Sequence, residues 1–333
     1  MIPKKKNINM DKMYSLDEVS LLPSWKPTLI NSRSIVNPFD ENGKLPVFVS
    51  PMPCIIDNTN FEIFSQSKVI PILPRSISSC KVDENAWIAC SLNDFIKMSE
   101  YDLNGKKILI DIANGHMKSI YDIVAKAKDK WPNCTIMIGN IAHPLIYLDC
   151  CKAGVDYVRV GIGGGNGCST SSQTGIHASL PWLLTKIKEI KGTQEFEKIG
   201  HTTKIIADGG IDRVAKAMKC IGLGADYVMM GKTFAQCEEA CSRIVTLDGI
   251  RYHEYYGMAS ERGQLDLYGK IIKNPEGIVT TVPITTDLTT YCNLFESVLR
   301  SAMSYAGALN LDEFKTQTRY EIQSLNEFKS YDK

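Results

Sequence analysis

Residues 107–141 read KILIDIANGHMKSIYDIVAKAKDKWPNCTIMIGNI. Two isoleucine-rich runs, KILIDIA (107–113) and TIMIGNI (135–141), bracket a stretch in which Ile120, Ile123, Val124 and Ala127 recur at helical spacing and make one apolar face. A strand that is apolar nearly throughout must be covered on both faces, and in a chain of strand–helix repeats that means a parallel sheet. The same unit recurs in both directions. Upstream lie VFVSPM (47–52), VIPILP (69–74) and AWIAC (86–90); downstream lie DYVRVGIG (156–163), KIIADGG (204–210) and DYVMMGK (226–232). Of these eight candidate strands AWIAC has the least helical periodicity before it, whereas DRVAKAMKCIGLGA (212–225) is a clear helix closing on glycines. Eight units between residues 46 and 245 predict a closed (β/α)8 TIM barrel rather than an open doubly wound sheet. No Pro/Ser linker or charge run divides the chain. We expect one barrel domain over 1–333, with an N-terminal extension over 1–45 and a flap and C-terminal excursion over 246–300, after strand eight.

Composition narrows the partners. The 333 residues carry 38 Lys+Arg against 37 Asp+Glu, a formal charge of +1, so there is no broad electrostatic footprint for nucleic acid or an anionic membrane. An apolar fraction of 44% excludes a disordered chain. No run of about 18 apolar residues is present, and the expectation is a soluble, cytoplasmic protein. Eleven cysteines without a C-x-x-C pair or matching histidine clusters form neither a disulfide framework nor a zinc site, and most should be buried packing residues.

In a barrel the chemistry sits on the loops after the strands, with phosphate often held after strands seven and eight. Here those loops carry Asp208-Gly209-Gly210 and Met230-Gly231-Lys232. These glycines suit either an anion held by backbone amides or simply tight turns. Strand six is followed by Gly-Ile-Gly-Gly-Gly-Asn-Gly-Cys-Ser-Thr (161–170), with five glycines in seven positions before Cys168. Such a loop is costly to order. Either its backbone approaches a ligand closely while presenting the Cys168 thiol as a nucleophile, or it is a flexible loop with an incidental cysteine.

Ordered motifs then carry a resemblance. SLDEVSLLP (15–23), NSRS (31–34), SPM (50–52), DIANGH (111–116), IMIGN (136–140), GIGGGNGCST (161–170), ADGGI (207–211), YVMMG (227–231), YYGMAS (255–260), PEG (275–277) and SAMSYAGA (301–308) follow one another as in the inosine monophosphate dehydrogenase and guanosine monophosphate reductase superfamily of (β/α)8 barrels. The chain resembles the reductase branch. It has no inserted regulatory module after the second strand, its flap ASERGQLDLYGKIIKNP contains Arg262 and Tyr268 but no Arg-Tyr dipeptide, and DIANGH carries Asn114. The alternatives are a compact dehydrogenase oxidising IMP to XMP with NAD, and a catalytically silent purine-nucleotide-binding barrel.

The resemblance implies NADPH-dependent reductive deamination of GMP to IMP and ammonia through a covalent cysteine–purine intermediate. Cys168 would be the nucleophile, with Thr170 and Glu276 as the proton relay to the leaving amine. Asp208 would hold the ribose hydroxyls as a bidentate acceptor, and amides near Gly209, Gly210 and Gly231 with the Tyr256 hydroxyl would hold the phosphate. Gly257, Met258 and Ser260 would meet the base. Asp111, Asn114, Gly115 and Arg75 would face the cofactor. A monovalent cation, K+, would take carbonyls of Gly163, Gly165 and Cys168. Members are commonly homotetramers. The chain departs from the family in having Asn166 for a serine, Lys232 for a small residue, Pro53 after Ser-Pro-Met, and Pro74-Arg75 for a His-Lys pair. An amide can replace a hydroxyl as donor and Lys232 can add charge at a phosphate.

Overall fold

The computed structural model describes residues 13–28, 30–75, 86–165, 169–272, 274–275 and 277–323. Thirteen strands occur among them: β1 (Val19–Leu22), β2 (Val47–Val49), β3 (Ile72–Leu73), β4 (Trp87–Cys90), β5 (Lys107–Asp111), β6 (Thr135–Ile141), β7 (Tyr157–Val160), β8 (Lys204–Asp208), β9 (Tyr227–Met230), β10 (Ile244–Leu247), β11 (Ile250–Tyr256), β12 (Val279–Pro283) and β13 (Arg319–Ile322). Strands β2 to β9 form one parallel sheet in the order β2-β9-β8-β7-β6-β5-β4-β3. The ring closes beside β3, where Val49 N–H donates to Ile70 O and Ile70 N–H to Val47 O, both at 2.9 Å. All eight apolar runs are barrel strands, and the least periodic of them, β4, is paired on both sides.

The strands read as continuous apolar runs because both of their faces are covered. One face packs against the surrounding helices, for example Ile120 and Val124 of the helix Lys118–Lys130. The other fills the barrel with Phe48, Ile72, Trp87, Ala89, Leu109, Met137, Ile206, Tyr227 and Met229. Phe48 lies 5.7 Å from Trp87, 6.0 Å from Tyr157 and 5.2 Å from Tyr227 between ring centroids, in edge-to-face arrangements that suit aromatic quadrupoles. Trp87, Tyr157 and Tyr227 begin their strands, so this cluster plugs the N-terminal mouth of the barrel. Of the nine cysteines among the described residues eight are buried and Cys241 is half-buried, in keeping with a packing role. Burial pushes the Cys54 thiol up to about 12 and so keeps it protonated.

Outside the barrel, β1 and β13 pair antiparallel, Val19 opposite Ile322, and tie the two ends of the described chain together. Strands β10, β11 and β12 form a separate antiparallel sheet over the C-terminal mouth. Its first turn is Asp248-Gly249, both with positive φ, as a tight hairpin requires. From this sheet the chain enters the flap helix Glu261–Tyr268, capped by Ser260 Oγ accepting from Gly263 N–H at 3.0 Å. Among the described residues no helix is long and apolar enough to cross a membrane.

Candidate active site

A cavity of about 500 Å3 opens at the C-terminal mouth of the barrel, where the inward positions of the strands change from apolar to charged. Asp111 ends β5 and Asp208 ends β8, while Arg159 interrupts the otherwise apolar β7. Arg159 is only 9% exposed and bridges the two carboxylates. Its Nη1 donates to Asp111 Oδ1 at 2.7 Å, and its Nε and Nη2 donate to Asp208 Oδ2 at 3.1 and 2.8 Å. Arg75 Nε donates to Asp111 Oδ2 at 2.9 Å, and Asn140 Nδ2 donates to Asp208 Oδ2 at 2.8 Å. The result is one chain of charge-assisted contacts across the mouth, Arg75–Asp111–Arg159–Asp208–Asn140.

The electrostatics follow from that chain. Burial opposes ionisation of Asp111, but Arg75 and Arg159 together outweigh it and hold the carboxyl below its ordinary range. Burial likewise disfavours the Arg159 cation, and Asp208 and Asp111 reverse the shift and raise its pKa. Both groups are therefore charged at neutral pH. Asp208 Oδ2 already accepts three donors, so Oδ1 is the oxygen left for a ligand hydroxyl.

Glycines let the loops meet. Gly209 and Gly210 have φ of 104° and 72°, and a Cβ on Gly210 would stand 2.8 Å from Gly164 O. The loop after β8 thus lies backbone to backbone against the glycine-rich loop after β7, and both border the cavity. Gly165, Thr170, Gly209, Gly210, Gly231 and Lys232 line it, as do Arg75, Asp111, Asn114, Gly257 and Met258. Asn114 uses Oδ1 to accept from His116 N–H at 3.1 Å, which leaves its amide nitrogen for a ligand carbonyl beside the apolar Ile112, Ala113 and Met117. A nicotinamide, with its carboxamide and flat apolar ring, fits that donor set.

Other expected positions lie elsewhere. Tyr256 is turned away, its hydroxyl donating to Asp266 Oδ2 at 2.8 Å; its neighbour Tyr255 lines the cavity instead, with Oη 3.3 Å from where a Gly231 Cβ would be. Alternation along β11 places the two tyrosines on opposite faces. Ser260 is fully buried as the cap of the flap helix, not beside the cavity. Gly115 is buried against Asn140, where it donates to the carbonyl at 2.8 Å. The Gly163 carbonyl accepts from Ser171 Oγ at 3.1 Å, and no cation site is assigned to it. Cys168, Asn166 and Glu276 lie outside the described residues. Sequence reasoning missed Arg159, Asn140, Ser50 and Tyr255. The signal for Arg159 was present, a lone charge at an inward position of a strand otherwise apolar.

Comparison with known proteins agrees with this geometry. The family model described as the IMP dehydrogenase / GMP reductase domain matches residues 98–329. The GMP reductase of Bacillus cereus is 29% identical over 327 residues, covering 92% of this chain and 95% of its own length. The GMP reductase of Lactobacillus gasseri is 29% identical over 320 residues, covering 91% and 92%. The inosine-5'-monophosphate dehydrogenase of Chlorobaculum parvum is 34% identical over 225 residues, or 64% of this chain, and the chain spans only 44% of that protein's length. A match through β5 to β9 and the flap takes in most of the strands that build the cavity, and on that ground the chain belongs to the IMP dehydrogenase / GMP reductase family.

Proposed function

We propose that this protein is an oxidoreductase of purine nucleoside monophosphates, and specifically that it reductively deaminates GMP to IMP and ammonia. The observation that carries the choice is coverage. Similarity to GMP reductases runs through 92% of this chain and 95% of the Bacillus cereus relative, whereas the chain spans 44% of the Chlorobaculum parvum dehydrogenase. In this reading the Cys168 sulfur bonds to C2 of the purine, and the 2-amino group leaves as ammonia once protonated through Thr170 and Glu276. NADPH, when bound, supplies the hydride that reaches C2. The C–S bond then breaks and returns the thiol, releasing IMP.

The chain's own groups set the geometry. Asp208 Oδ1 accepts from a ribose hydroxyl while Arg159 and Asn140 hold the carboxylate still. Amides around Gly210 and Gly231, with the Tyr255 hydroxyl, take the phosphate, and the backbone of Gly257 and Met258 meets the base. Burial raises the Tyr255 pKa, and its phenol stays a donor. Asp111, fixed by two arginines, and Asn114 orient the cofactor side.

A second reading, a compact IMP dehydrogenase, is favoured by the 34% identity to the Chlorobaculum parvum enzyme. Absorbance at 340 nm separates the two. Consumption of NADPH with GMP, stoichiometric in ammonia and abolished by Cys168→Ala, supports the reductase; NADH formation from IMP and NAD supports the dehydrogenase. Silence in both, with nucleotide binding retained, supports a binding barrel. The same reading carries a homotetrameric, cytoplasmic enzyme, which light scattering of the purified protein and fractionation of cells test.

A further inference from the structure

The opposite, N-terminal mouth of the barrel holds a second cavity, of about 370 Å3, beside the aromatic plug. Three of its side chains stand in register on adjacent strands: Trp87 pairs with Lys107, and Lys107 with Thr135. Alternation aims all three inward. Lys107 and Thr135 lie two residues before Leu109 and Met137, which fill the barrel together with Trp87, while Ile108 and Ile136 pack on the helix side. Each carries a donor, and among the described residues Trp87 Nε1, Lys107 Nζ and Thr135 Oγ1 have no hydrogen-bond or ion-pair partner. Trp87 is only 6% exposed, yet its Nε1 is not sealed from solvent. Holding three donors on one half-buried row is costly unless something supplies acceptors.

We infer that this cavity is a second binding site, for a small aromatic monocarboxylate, whether or not the other mouth turns over a purine nucleotide. Charge sets the class. The other two charged residues on the cavity are engaged: Asp40 accepts from Asn42 N–H at 2.9 Å, Lys44 N–H at 2.8 Å and Tyr227 Oη at 3.1 Å, and Lys44 Nζ donates to the carbonyls of Ser65 and Ser67 at 2.7 and 2.5 Å. Lys107 is the charge left over, and it matches one negative charge. Neighbouring strands lie about 4.8 Å apart, so the two oxygens of a carboxylate can meet Lys107 and one of its flanking donors together. A dianion would face the Asp40 carboxylate with a charge to spare. Phe48, Phe61, Ile70 and Pro71 supply the apolar wall for a flat ring. Leu109, Met137, Ile206 and Met229, packed across the barrel, separate this site from the catalytic mouth.

Fluorine NMR of the whole protein labelled with 5-fluorotryptophan tests this, with the Trp87 resonance, one of four, assigned by its loss in Trp87→Phe. Titration with 2-naphthoate should shift that resonance with a Kd of about 1 mM or tighter, as a ligand of this size can reach. Neither IMP nor NADPH should displace it, and inorganic phosphate should not compete. 2-Naphthamide keeps the ring and loses the charge, and it should bind about 10- to 100-fold more weakly. Lys107→Met should impose the same loss on 2-naphthoate, Lys107→Arg should restore most of it, and Thr135→Val should weaken binding about 3- to 10-fold. A Trp87 resonance unmoved by about 5 mM 2-naphthoate overturns the inference. So do equal affinities for the naphthoate and the amide, an affinity that survives Lys107→Met unchanged, or displacement by IMP or NADPH, which would put the ligand in the other mouth. The comparison of acid with amide uses wild type alone and decides the charge even if a variant fails to fold.

Discussion

Replacing Arg159 by methionine tests the charge chain at its centre. The substitution keeps most of the side chain's volume but removes three donors, at 2.7, 2.8 and 3.1 Å, from two carboxylates. Breaking a buried ion pair from one side costs about 3–5 kcal/mol, because the partner is left charged and uncompensated. Asp111 and Asp208 keep 14% side-chain exposure each, and Arg75 still serves Asp111, so the lower end, about 3 kcal/mol, is expected. At about 2 °C per kcal/mol for a chain of this size, the thermal midpoint should fall by about 6 °C at pH 7.5, read by circular dichroism. Acid should narrow the gap. A carboxyl held below its ordinary range contributes stability that is present above the unfolded value near 3.9 and is lost as pH falls through the folded value. For Asp111 that window lies below about pH 4, where wild type loses what the variant already lacks. Adding Asp208→Asn to Arg159→Met should cost less than the sum of the two changes, since no charge is then stranded. A midpoint for Arg159→Met within about 1 °C of wild type would refute the reasoning.

Three further outcomes follow from other parts of the fold. Burial and the neighbouring His143 lower the pKa of His116, whose Nε2 accepts from Ala142 N–H at 2.9 Å; stability should therefore decline as pH drops from about 6.5 toward the folded value, and a melting series from pH 7.5 to 5.0 should show a smaller decline in His116→Gln. Gly161 has φ of 125° and its Cβ would run into the Asp208 carbonyl, so Gly161→Ala should lower the midpoint severely or abolish soluble expression, whereas Gly257→Ala, with nothing within 4 Å, should melt like wild type. Trp87→Ala removes a ring that is 6% exposed from the plug at the barrel's N-terminal mouth, and urea titration should show a loss of about 3–5 kcal/mol with Kd for nucleotide unchanged in the folded fraction.

The barrel was legible because its physics is written in runs. A parallel strand buried on both faces cannot afford polar residues, and KILID, TIMIGNI and YVMM stand out for that reason. The strands outside the barrel obey no such constraint. In β10 Ile244 is 44% and Leu247 51% exposed, β13 is exposed throughout, and neither stands out as a strand in the sequence. At the barrel mouth, the strand-end reading and the structure both put Asp111, Asp208, Gly210 and Gly231 beside the cavity. Side-chain direction was harder to read. Two adjacent tyrosines have equal claims as hydroxyl donors, and only the register of β11, Tyr255 opposite Thr280 and Tyr256 opposite Val279, decides which one meets the cavity. Ser260 has the composition of a ligand contact but serves the flap helix as a cap, a role that the run Ser-Glu-Arg-Gly also announces.

The pairing of β1 with β13 has a consequence for synthesis. Val19–Leu22 leaves the ribosome about 300 residues ahead of Arg319–Ile322, an interval of roughly 15–60 s at ordinary elongation rates. Through that interval Val19–Leu22 lacks its pairing strand, and the barrel forms beside an open edge. The ribbon can zip only after the barrel strands have been made, and a nascent chain stalled before residue 319 would carry Val19–Leu22 as an accessible handle for chaperones and proteases.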